Sequence, residues 1–165
     1  MIRRHMIRVH HAALFALAAM SASPVVAQAA DPTGFAAGAD VTAQVAAMGK
    51  AMKPGQGFAW QPLVRDGQTV AALEYWKAPG RPAVHPDQAE YAIVVAGAGV
   101  LISGGTLAAP TRVKPDLTEG DRIVGGTTRT LGPGDVLLVP AGVPHWFGIT
   151  GDRLVLLGMK LPASR

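Results

Sequence analysis

The sequence predicts an all-β domain, a sandwich or barrel, with one short helix on its N-terminal side. Three observations carry this prediction. β-Branched and aromatic residues fall in short runs, glycine and proline (20 and 13 of 165 residues) separate those runs, and a stripe at helical spacing occurs before residue 55. A chain of this length makes one domain with a core of its own. Cysteine is absent, which excludes disulfides, thiolate nucleophiles and cysteine-based zinc sites. A metal would have to be held by histidine, carboxylate or backbone oxygen.

The first residues follow the three zones of a secretory signal peptide. Arg3, Arg4 and Arg8 precede the apolar run Ala12 to Met20, and small residues follow, ending in Ala27-Gln28-Ala29. Nine apolar residues are too few to cross a bilayer, which takes about 20. We expect residues 1–29 to be removed and the mature chain to be periplasmic or secreted; a short amphipathic helix on a cytosolic protein is the alternative. Removal takes away three arginines and no acids, so the formal charge falls from +4 to +1. No basic block interleaved with aromatics remains, so neither a nucleic-acid partner nor, after cleavage, a membrane is expected. His5, His10 and His11 leave with the leader, and His85 and His145 stay.

Residues 30–57 read as a lead segment and a short helix. Val41, Val45, Met48 and Met52 form one helical stripe, with Asp40 as the expected N-cap and Pro54-Gly55 as the stop. The β-domain is assigned to residues 58–165. Its strands are expected at Thr69 to Lys77, Tyr91 to Val95, Val100 to Ser103, Asp121 to Val124, Val136 to Val139, Trp146 to Thr150 and Leu154 to Lys160. Gly97-Ala98-Gly99 and Gly125-Gly126 are expected to be hairpin turns. The stretch Leu107 to Glu119, with Pro110 and Pro115, reads as a long connection that could also serve as a lid. Tyr91, Trp76 and Trp146 read as core aromatics.

Two stretches carry the chemistry. In GDVLLVPAGVPH, Gly134 to His145, a buried strand and a Pro-Ala-Gly turn lead into the strand that begins at His145. Strand alternation places His145, Phe147 and Ile149 on one face and Trp146 and Gly148 on the other, so His145 points into an apolar interior with Phe147 and Ile149 as pocket-lining candidates. In the second stretch, His85 and Glu90 are five residues apart, an odd offset that would separate them in one straight strand. Pro86 and Asp87 interrupt the strand, and a bend there would aim both side chains into one cavity, with Ala92 and Val94 continuing inward from Glu90. Taken singly, each residue also has a plain reading: a loop histidine, a core histidine bonded to a backbone carbonyl, and a strand-edge carboxylate.

Together these residues resemble the cupins, small double-stranded β-helix barrels of jelly-roll type. Gly134, Pro140, Gly142 and His145 match the spacing of the second cupin motif, with Ile149 in place of its asparagine. Glu90 and Gly97 match the end of the first motif, and His85 takes the position of its second histidine. Ala83 stands where the first histidine would be, and Lys77 where the opening glycine would be. The resemblance spans roughly residues 68–160. It implies a divalent metal, Fe, Mn, Zn or Ni, held by His85, Glu90 and His145. Two imidazoles and one carboxylate suffice for such an ion and leave coordination positions open. Asp87 is read as a turn residue, and Glu74 as the nearest candidate acid or base.

The function this implies is an exported metal-binding protein acting on a small molecule, as a dioxygenase or through Lewis-acid chemistry. The alternative is a non-catalytic module that captures a small ligand, with weak metal binding or none. Pairing of two chains through an open sheet edge is also expected.

Overall fold

The computed structural model describes residues 31–163, so the leader assigned to residues 1–29 lies outside the described residues. One helix, α1 (Gly38–Ala51), is followed by eleven strands: β1 (Phe58–Asp66), β2 (Thr69–Trp76), β3 (Ala83–Val84), β4 (Gln88–Ser103), β5 (Thr106–Ala108), β6 (Thr111–Lys114), β7 (Leu117–Glu119), β8 (Arg122–Val124), β9 (Thr127–Leu131), β10 (Val136–Val139) and β11 (His145–Pro162). Among the described residues no helix is long and apolar enough to cross a membrane.

β4 and β11 organise the domain. They pair antiparallel from His145↔Ser103 at one end to Pro162↔Gln88 at the other, with register shifts between Ile149 and Leu154 and between Val155 and Leu156. One end of this ribbon adds β9 beside β4 and β3 beside β11; the other adds β10 beside β4 and β2 beside β11. Strands that bend and change neighbours in this way turn the corner between two packed layers. The bend falls at Gly97, whose φ is +80° and where an added Cβ would lie 2.1 Å from the Arg153 carbonyl oxygen. Only glycine combines that left-handed conformation with so close a backbone approach. What reads in sequence as a Gly97-Ala98-Gly99 hairpin is therefore a bend inside one continuous strand. Gly125-Gly126 likewise joins strands that do not pair with each other, since β8 pairs with β5 and β9 with β4.

Alternation along the two long strands sorts the side chains into two apolar layers. Ala92, Val94, Leu101, Leu131, Phe147, Leu154 and Leu156 fill the space between the sheet layers. On the outer face, Leu73, Tyr75 and Val155 pack against Met48 and Met52, with Val41 and Val45 beside them, so the helical stripe is a packing face. Asp40 is not the cap: the helix begins at Gly38 after Ala37, which makes no side-chain cap hydrogen bond, and Asp40 lies in the first turn. An acidic residue there still complements the helix dipole.

Three further differences come from tertiary pairing. β1 and β9 escape the sequence reading, β1 because Pro62 interrupts its run, beside a register shift, and β9 because Leu131 is its one apolar residue; each forms by pairing with a more strongly patterned partner, β2 or β4. The stretch 107–119 holds the β6–β7 hairpin, and β7 pairs with β3. The expected strands at 146–150 and 154–160 are parts of the single strand β11.

Candidate metal centre

His85, Glu90 and His145 converge from three places in the fold. Glu90 lies near the start of β4 and faces inward with Ala92 and Val94. His145 is the first residue of β11, held by the turn after β10. His85 follows β3, and the turn at Pro86-Asp87 reverses its facing relative to Glu90. The potential ligand atoms of the three lie within 4.8 Å of one another. Glu90 Oε2 is 3.2 Å from His145 Nε2 and 3.7 Å from His85 Nε2. Asp87 does not join this group.

Backbone carbonyls orient both rings. His85 Nδ1 lies 3.0 Å from the Asp116 carbonyl oxygen, and His145 Nδ1 lies 3.0 Å from that of Val143. A carbonyl oxygen only accepts, so each Nδ1 carries a hydrogen, and the ring nitrogen that faces the centre is Nε2 in both. Asp116 belongs to the turn of the β6–β7 hairpin, so the segment expected to be a loop anchors one side of the site. Two ring nitrogens and a buried carboxylate oxygen converge, and a buried carboxylate needs a charged or hydrogen-bonding partner.

Lys160 is one such partner. Its register partner across the β4–β11 ribbon is Glu90, its Nζ contacts Glu90 Oε2, and it donates to His85 Nε2 at 2.9 Å. Burial alone would raise the Glu90 carboxyl, but His145 and Lys160 outweigh it and hold the group at about 2. Burial, followed by the Lys160 charge, lowers the pKa of His85. Glu74, on β2, goes the other way: burial, then the neighbouring Glu90 charge, raises it from the usual 4.5 to about 7. Near neutrality the site thus holds one ionised and one half-protonated carboxyl, set apart by their surroundings.

The site opens into a cavity of about 450 Å³. Phe58, Trp76, Trp146 and Phe147 give it aromatic walls, and Glu74, Lys160 and Arg81 add charged groups to its lining. Arg81 is held by Asp121 at 2.6 Å, and the Trp146 indole donates to the Gly80 carbonyl at 2.9 Å. Phe147 lines the cavity, whereas Ile149 packs against the apolar core. Trp76, a core aromatic by the sequence reading, packs against the apolar core and also lines the cavity, whereas Trp146, read the same way, is a cavity wall. Lys160 belongs to neither motif and carries no signal of its own in the sequence, although the alternation Leu154, Leu156, Gly158, Lys160 places it on the inward face. Glu74 faces the cavity rather than open solvent, and Gly158 beside it leaves room for the carboxyl: an added Cβ would lie 3.2 Å from Glu74 Oε1.

The donor set fits a divalent ion. Metal–ligand bonds of about 2.1 Å put neighbouring donors roughly 3.0–3.4 Å apart, and the separations of 3.2 and 3.7 Å from Glu90 lie at or near that range. Both rings present the nitrogen that would bind, with the other nitrogen already bonded to a carbonyl, as metal-binding histidines require.

Comparison with known proteins gives a consistent picture of the fold. The family model described as Cupin matches residues 67–161. The crystal structure of TT1209 from Thermus thermophilus is similar, with a TM-score of 0.50 and 16% identity over 71% of this chain and 95% of that one. Hydroquinone 1,2-dioxygenase PnpCD, solved with Cd2+ and 4-hydroxybenzonitrile, has a TM-score of 0.53 and 19% identity over 72% of this chain and 71% of that one. At such identities the likeness is one of fold. No curated protein matches the chain.

Proposed function

The chain belongs to the cupin family, and from that premise we propose that it binds one divalent metal through His85, Glu90 and His145 and acts on a small molecule in the adjoining cavity. The observation that carries this reading is the convergence of two carbonyl-oriented imidazoles and one carboxylate on an aromatic-walled pocket. Once bound, the ion would supply Lewis acidity or, as iron, oxygen activation.

The chain's own residues account for the rest. The aromatic walls exclude water from the reacting centre and favour a flat or apolar substrate body. Glu74, with its raised pKa, can hold or release a proton near neutral pH beside the site. Arg81 offers a guanidinium to an acidic substrate group, in competition with Asp121. The leader motif supports export of the mature chain, which N-terminal sequencing of protein from the periplasmic fraction would establish.

One observation favours a second reading, a metal-free binding module: Lys160 already supplies a cation to Glu90, and Ala83 withholds the fourth ligand. Elemental analysis of the untagged mature protein separates the two. About one equivalent of Fe, Mn, Zn or Ni, lost in His145→Ala, supports the metal enzyme. A metal-free protein whose stability is unchanged by chelator supports the module.

A further inference from the structure

We propose that Lys160 is the resident counter-cation of the site and that a divalent ion enters by displacing its ammonium into a neighbouring recess. This rests on the metal-binding reading and adds a residue that controls it.

Competition follows from shared atoms. Lys160 Nζ lies against Glu90 Oε2 and 2.9 Å from His85 Nε2, two of the three atoms an ion would use. An ion bound at about 2.1 Å from the same oxygen would stand within a few ångströms of the ammonium, where a +2 and a +1 charge repel strongly in a partly dehydrated site. The two cations therefore exclude each other.

The lysine has somewhere to go. Lys160 and Glu74 also line a second recess of about 270 Å³, which includes Gln88 and Asp116. One third of the Lys160 side chain is exposed, and its four-carbon stem can rotate while the backbone of β11 stays paired. Glu74 and Asp116 make the recess acidic, so the ammonium would keep an acidic environment there. Ala83, small where a ligating histidine could stand, lines the same cavity as the three ligands. With one ligand fewer, the site holds its ion less tightly, so a competing ammonium matters more.

Two measurements on chelator-stripped protein test this. In the first, Zn2+ and Mn2+ are titrated into the natural chain and into Lys160→Met, which keeps an unbranched stem one atom shorter and removes the charge; the variant is expected to bind at least about tenfold more tightly. In the second, the natural chain is acetylated with acetic anhydride with and without metal. The Lys160 peptide is expected to react severalfold faster with metal bound, while Lys50 and Lys53, on or just past α1, stay unchanged. The second measurement needs no variant and decides the matter if Lys160→Met fails to fold. Tighter binding with faster acetylation supports displacement; metal binding by the variant alone overturns it, because the ammonium then keeps the ion out of the natural chain. Equal affinities, or acetylation indifferent to bound metal, overturn displacement and leave the metal site standing. No metal bound by either protein overturns both.

Discussion

His145 and Ala83 are register partners across the β11–β3 pair, so the position at which the first cupin motif carries its first histidine lies beside the histidine of the second motif. Directly opposed residues have Cβ atoms about 4.5–5.5 Å apart, and Ala83 lines the metal-facing cavity. A side chain at 83 is thus placed to reach the same centre.

Ala83→His should add a third imidazole to the site. We expect metal affinity to rise by about tenfold or more, equivalent to about 1.4 kcal/mol, measured by competition with a chromophoric chelator. Unchanged affinity would show that position 83 does not reach the ion.

Glu74 should make the metal-free protein less stable as pH rises. Its folded-state value of about 7 exceeds the usual 4.5, so between these values the folded chain holds a proton that the unfolded chain has released. Stability falls as pH rises from about 4.5 to 7 and levels off above. Glu74→Gln should flatten the dependence of Tm on pH in that window; an equally steep profile in the variant would refute the assignment.

Glu90 should act in the opposite direction at lower pH. Held at about 2 in the folded protein, it contributes stability that is complete above about pH 4.5 and is lost as pH falls toward about 2. Glu90→Gln should therefore lose stability at neutral pH and show a shallower acid limb in chelator-treated thermal melts.

Gly97→Ala should destabilise the domain by about 2–5 kcal/mol, from the left-handed backbone and the Arg153 carbonyl together. Urea denaturation measures this directly. A near-neutral result would mean that the β4 bend relaxes.

Gly49, within α1, offers a contrasting test. Alanine gains about 1 kcal/mol of helix propensity, but its Cβ would lie 2.8 Å from the Tyr75 hydroxyl oxygen. We expect Gly49→Ala to be destabilising in the natural background and less so in Tyr75→Phe, a difference that a double-mutant cycle reads out.

Local patterning carried much of this structure. The stripe Val41, Val45, Met48 and Met52 announces a packing helix, and the Gly134 to His145 stretch announces a strand, a turn and an inward histidine, because side-chain period and turn chemistry are properties of neighbouring residues. The His85–Glu90 bend was legible for the same reason, through Pro86 and Asp87. The Pro62-interrupted strand β1, the polar strand β9 and the hairpin within residues 107–119 were not, since each depends on pairing that local pattern does not announce.

Determined by sequence alone were the all-β class, the N-terminal helix and the three residues that could hold a metal. Tertiary structure decided which cation faces Glu90, which carboxyl retains its proton, and which carbonyls orient the rings. Those outcomes depend on strand register between segments as far apart as Glu90 and Lys160, 70 residues along the chain, and on burial. Both arise only when the β4–β11 ribbon bends and closes around the site.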